Sequence, residues 1–150
     1  MSTHQHFVDV DVPVRNAYDQ WTQFEEFPRF MDGVESVEQR TDTRLHWKVK
    51  FDGVEREFDT TITEQVPDQR IAWKTDDGPR HAGVVTFHTL SDTSTRVTLQ
   101  MEYDPDGLIE NVGDKAGFVS RRVEGDMKRF KEFIEERLTP TGSWRGKVDR

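Results

Sequence analysis

The stretch "TRLHWKVKF" (Thr43–Phe51) alternates without a break: Leu45, Trp47, Val49 and Phe51 are apolar and odd-numbered, while Arg44, His46, Lys48 and Lys50 fill the even positions. A period of two predicts a strand with one face in a core and the other in water. The Asp52-Gly53 pair that follows is a hairpin signal. Beyond it "VEREFDTTITEQV" (Val54–Val66) repeats the pattern, with Val54, Phe58, Ile62 and Val66 inward. Arg56 and Thr60 share that inward face by parity.

Outward from this hairpin the same period recurs. "HQHFVDVDV" (His4–Val12) sets Val8, Val10 and Val12 against Asp9 and Asp11. "RIAWKT" (Arg70–Thr75), "RHAGVVTFHTL" (Arg80–Leu90) and "TRVTLQMEY" (Thr95–Tyr103) add three more strands, separated by the turn-rich "DDGP" and "SDTS". The total is about seven strands, antiparallel between neighbours.

Two segments have the helical period instead. Val14, Ala17, Tyr18, Trp21 and Phe24 recur at spacings of three and four, and Phe27, Phe30 and Met31 continue the stripe through Pro28, which suits the first turn of a second short helix. Two short helices should therefore meet near Phe27, with Gly33 releasing the chain into strands. The longest element should run from Leu108 to Leu138, where Val112, Ala116, Val119, Val123, Met127, Phe130 and Ile134 form one apolar stripe. Its opposite face is charged: Arg121, Arg122, Lys128, Arg129, Glu132 and Glu136. Gly113 and Gly117, one turn apart, weaken this helix and ask for a close approach to sheet or ligand. The tail "TPTGSWRGKVDR" (139–150) has no period and should fray despite Trp144.

A chain of 150 residues, 33% hydrophobic and 33% charged with ten Phe and four Trp, is the size of one domain, with residues 1–138 as its body and 139–150 as a flexible tail. The net charge of -8 repels phosphate backbones, so nucleic acid is a poor partner. Without cysteine the chain has no disulfide framework and no thiol nucleophile, and a reducing, cytoplasmic setting fits. The N-terminus does not read as a signal peptide, and no run approaches the length of a membrane span. His4 and His6 lack a third ligand, so no metal site is expected, and no phosphate loop or catalytic triad motif implies a cofactor.

A single-faced sheet must bury that face, and the C-terminal helix is the one element long enough to cover it. The α+β architecture that follows is a curved antiparallel sheet, in the order β-α-α-β6-α, wrapped around a long terminal helix with an internal cavity. A cavity of 300 Å³ left empty would cost on the order of 7 kcal/mol, so it should be plugged, wet or occupied. Phe24, Phe27, Phe30 and Met31 are the natural rim, able to act as a gate.

The segments "VPVRNAYDQWTQFEEFPRFMDGVESV" (Val12–Val37), "PDQRIAWKT" (Pro67–Thr75), "GVVTFHTL" (Gly83–Leu90) and "VEGDMKRFKEFIE" (Val123–Glu135) resemble the START-like helix-grip (SRPBCC) superfamily. Within it the chain is similar to the polyketide cyclase/dehydrase and lipid-transport group, which includes coenzyme Q-binding proteins. The resemblance implies the helix-grip fold and a hydrophobic ligand held between sheet and helix: a lipid, a quinone or a polyketide-like molecule. It says less about activity, because these proteins share architecture more than chemistry.

Candidate ligand contacts on this reading are Phe27, Phe30, Met31, Trp47, Arg56, Phe58, Thr60, Trp73, His81, Phe87, Met101, Tyr103 and Phe118. Arg56 either fixes a ligand carbonyl or carboxylate or simply reaches water from a strand end. His81 is either a hydrogen-bonding or acid/base group at the cavity mouth or a solvated loop neighbour. Three functions follow: binding or transport of an apolar small molecule; a polyketide aromatase/cyclase or dehydratase in which Arg56, His81 or Tyr103 assists enolisation; or a protein-interaction module using the helix's charged face with Arg121 and Arg122. Oligomeric state is not legible.

Overall fold

The computed structural model describes residues 2–51, 53–76, 80–103, 115–137 and 139–148. In chain order the elements are β1 (Ser2–Val10), α1 (Val14–Trp21), a 3-10 helix (Phe24–Arg29), β2 (Val34–Gln39), β3 (Arg44–Phe51), β4 (Val54–Val66), β5 (Arg70–Thr75), β6 (His81–Ser91), β7 (Ser94–Tyr103) and α2 (Lys115–Arg137). The seven strands form one antiparallel sheet in the order β1-β7-β6-β5-β4-β3-β2, curled around α2 as a half-barrel. This is the helix-grip fold. The expected helix start at Leu108, with Val112 and Gly113, lies outside the described residues, as do Leu138, Asp52 and most of "DDGP" (77–79).

Parity sets the faces almost everywhere. Leu45, Trp47 and Val49 of β3 are buried and meet Thr60, Phe58 and Arg56 of β4 in register. Parity breaks at bulges, between Val34 and Ser36, between Thr89 and Ser91, and between Ile62 and Glu64. One extra residue in β4 reverses the alternation beyond it, so Gln65 is buried while Val66, expected inward, is only half-buried.

The aromatic stretch winds differently from expectation. Helix α1 stops at Trp21, where the Thr22 hydroxyl donates to the Asp19 carbonyl at 2.6 Å. The following turn is a 3-10 helix with Pro28 inside it. Residues three apart eclipse one another in a 3-10 helix, so Phe24, Phe27 and Phe30 fall in one line. Their ring centroids are 5.4 and 5.6 Å apart, and Phe30 also meets Trp21, Phe130 and Phe133 within 5.8 Å. Phe27 and Phe30 are thus central core, which corrects their reading as a gate. Gly33, at φ 86°, then makes the left-handed turn into β2.

Residues 139–148 are held against the body, where the sequence predicts fraying. Gln20 exchanges two hydrogen bonds with Thr141 at 2.8 and 3.0 Å, and the Trp144 amide donates to the Thr22 hydroxyl at 3.0 Å. Val148 pairs with Gln65 through both backbone bonds. Arg145 bridges Asp19 and Asp68. These anchors are polar, so no apolar period in the sequence announces them. The Asp19 side chain is only 7% exposed, and without Arg145 its cationic partner among the described residues is Arg15 at 3.8 Å. Arg145→Ala should therefore cost roughly 2 kcal/mol, read as a lower urea midpoint at unchanged slope, with Arg145→Lys recovering part of it.

Candidate functional site

A cavity of about 100 Å³ lies between the sheet and α2. Its sheet wall comes from Trp47 and Val49 of β3, Phe58 of β4, Trp73 of β5, His81 of β6, and Leu99, Met101 and Tyr103 of β7. Met31, Asp32 and Val34 add lining from the turn into β2, and α2 contributes Phe118, Val119, Arg122, Val123 and Asp126. At this size an empty cavity costs about 2 kcal/mol, about a third of the cost of one of 300 Å³. A cost of that size is tolerable, so volume alone does not demand a ligand.

The sheet wall is a stack of rings. Trp47 lies nearly parallel to Phe58 and to Trp73, with centroids 6.1 and 6.5 Å away. Trp73 sits opposite Gly83 in register, and a β-carbon on Gly83 would come within 2.4 Å of the indole. That close approach is why β6 has a glycine there. The Trp47 indole N–H donates to Thr60 Oγ1 at 2.8 Å, which accounts for the hydroxyl of the fully buried Thr60.

His81 is boxed by these rings. Phe58 meets it edge-on at 4.8 Å and Trp47 at 6.2 Å. It is 5% exposed, and burial pushes its pKa down from 6.5 to about 4, so the ring is neutral at neutral pH. The Trp73 indole donates to its Nε2 at 3.4 Å, which assigns the ring proton to Nδ1. Nδ1 is buried with no partner among the described residues. The hydroxyl of Tyr103 is in the same condition, as is Nε2 of His4, whose ring lies 5.4 Å from that of Tyr103. His81 and Tyr103 are register partners on β6 and β7.

The mouth is charged. Asp32, Phe118 and Arg122 also line an adjoining open cleft of about 230 Å³ with Arg121 and Arg129. Asp126 accepts from the Asp32 backbone N–H at 3.1 Å and from Arg129, whose Nε donates to the Phe30 carbonyl at 3.0 Å. Burial outweighs these partners and pushes Asp126 up from 3.8 to about 6. Arg122 lies 3.4 Å from Asp32 and 5.1 Å over the Phe118 ring.

Of the candidates read from sequence, Met31, Trp47, Phe58, Trp73, His81, Met101, Tyr103 and Phe118 line the cavity. Five do not. Phe27 and Phe30 are core, and Thr60 serves Trp47. Phe87 lies six residues beyond His81, about 20 Å along β6, and packs edge-on to Tyr18 at 5.3 Å under α1. Arg56 is half-buried and donates to the Glu55 carbonyl at 3.1 Å. Asp126, Arg122 and Arg129 were missed as cavity and cleft residues. The two arginines sit on the helix face that reads as solvated, but both are half-buried at its edge.

A 17.2 kDa protein of the melC2-rnhH intergenic region of Streptomyces lincolnensis is 58% identical to this chain over 149 residues, 99% of each. The fold is shared by solved structures, among them the following two. DR_A0006 from Deinococcus radiodurans has a TM-score of 0.74 at 23% identity, over 92% of this chain and 100% of that one. The Zhui aromatase/cyclase from Streptomyces sp. R1128 has a TM-score of 0.75 at 13% identity, over 95% of this chain and 99% of that one. Among the described residues no helix is long and apolar enough to cross a membrane. Residues 10–132 match the model of the polyketide cyclase/dehydrase and lipid transport family, and the chain belongs to that family.

Proposed function

We propose that the protein binds or carries a flat or isoprenoid apolar molecule bearing a polar oxygen, held in the ring-walled cavity with its oxygen against His81 and Tyr103. The observation that carries this is the pair of buried polar groups, His81 Nδ1–H and Tyr103 Oη, which have no partner among the described residues and lie on the ring-walled side of the cavity. Each unmade bond costs about 1–3 kcal/mol, and one ligand carbonyl could answer both. Family membership supports a hydrophobic ligand, and action in the cytoplasm belongs to the same proposal.

Quenching of Trp47 and Trp73 by 2-acetonaphthone and by 2-ethylnaphthalene, its near-isosteric hydrocarbon, tests it. The ketone should bind about fivefold more tightly, the worth of one hydrogen bond, and His81→Phe or Tyr103→Phe should erase that margin. Equal affinities for the two, or no binding of either, would remove the basis of the assignment.

A second reading, a polyketide cyclase or dehydratase, draws on Asp126. A buried carboxylate at about 6 on the cavity wall suits proton abstraction beside a carbonyl far better than His81 at about 4. The interaction-module reading has less behind it, since Arg122 is turned into the mouth against Asp32 and Phe118.

A further inference from the structure

Resting on the binding proposal, we infer that the ligand is an amphiphile with a carboxylate, whose apolar body fills the cavity and whose carboxylate lies between Arg122 and Arg129, in the place Asp32 takes here. Three observations lead to this. First, the cavity and the cleft have Asp32, Phe118 and Arg122 as common lining, so a molecule that reaches past these side chains spans an apolar interior and a cationic mouth. A charged group has no place among the rings, where desolvation would be prohibitive. It must sit at the mouth.

Second, the guanidiniums are held in place before any ligand arrives. Arg129 is fixed by the Phe30 carbonyl and by Asp126, and Arg122 lies over the Phe118 ring. Groups already oriented lose less entropy when they grip an anion.

Third, Asp32 occupies the shared focus of the two arginines but fits it poorly. Its carboxylate is 3.4 Å from Arg122 and 3.8 Å from Arg129, against about 2.7–2.9 Å for a good charge-assisted hydrogen bond. Its side chain is also 67% exposed. An ion pair this loose and wet contributes little to folding. A ligand carboxylate anchored by its own apolar body can displace it, the Asp32 side chain swinging into water while its backbone N–H stays on Asp126. The chain's overall negative charge is screened beyond about 10 Å and does not cancel an attraction of this range.

The experiment compares 2-naphthoate with methyl 2-naphthoate by tryptophan quenching. Wild type should prefer the acid about fivefold. Asp32→Ala should strengthen 2-naphthoate a further three- to tenfold and leave the ester unchanged, because a competitor has gone. Arg122→Gln should abolish the preference. The Asp32→Ala arm reports a gain of binding, so it stands even where Arg122→Gln folds poorly. If the ester binds and neither wild type nor Asp32→Ala favours the acid, the cavity still takes apolar ligands and the carboxylate inference falls. If neither compound binds, both fall.

Discussion

Truncating Phe30 to alanine should remove about 4 kcal/mol of stability, in the range for a fully buried phenylalanine. The ring is 1% exposed and touches Trp21, Phe27, Phe130 and Phe133. It therefore ties the 3-10 helix to α1 and α2 together. Two stacked costs follow: apolar area returned to water, and a cavity that four rigid rings cannot collapse to fill. Urea unfolding measures it. Stopped-flow release of 2-acetonaphthone separates this role from a gate, since a gate residue would change release tenfold or more with little loss of stability. A variant as stable as wild type, releasing ligand faster, would show that the stretch is a door after all.

The second large effect is a pair of opposed pH dependences. His81 takes a proton at about 4 in the folded chain and at 6.5 when unfolded. As pH falls from 6.5 to 4 the unfolded state binds the proton first, and stability drops by about 3 kcal/mol. Asp126 runs the other way. It takes its proton at about 6 folded and 3.8 unfolded, so over the same interval the folded state binds first and gains about 2 kcal/mol. The two largely offset in wild type. Removing either should expose the other: Asp126→Asn should become about 2 kcal/mol more acid-labile than wild type between pH 7 and pH 4, and His81→Phe about 3 kcal/mol less so. Urea midpoints across that range, taken as differences from wild type, cancel the remaining carboxylates. Parallel curves for all three proteins would mean that neither group is perturbed by burial.

How legible this was from sequence depends on the kind of signal. The odd-even order of Leu45, Trp47 and Val49 needed no tertiary information, because a strand's period is a backbone property, and it placed Trp47 and, by extension, Phe58, Trp73 and Tyr103 on the inner face. Parity fails where the backbone gains a residue, as between Ile62 and Glu64, and nothing in "TITEQ" marks the bulge. It also gives a face without a position along it, which is how Phe87 entered the candidates although the cavity lies toward the other end of β6. Phe27 and Phe30 were recognised as a concentrated apolar surface, but their depth depended on 3-10 rather than α winding. Asp126 shares the buried stripe with Val123, Met127 and Phe130, but in a sequence a carboxylate on a helix reads as solvated. Its position midway along that stripe was the available clue. Gly83, inside the strand pattern "HAGVVTF", was another: an unfilled β-carbon position invites a large neighbour, and Trp73 takes it.

The ring wall is locked by cross-strand register and by the absence of a side chain on Gly83, so it has little freedom to adapt. Met31 and Met101 are the unbranched aliphatic chains lining the cavity, and tolerance for ligands of different outline rests on these two thioethers. They are also where oxidative wear would tell first: a sulfoxide would set a strong dipole into an apolar space and replace an adaptable wall with a polar, stiffer one.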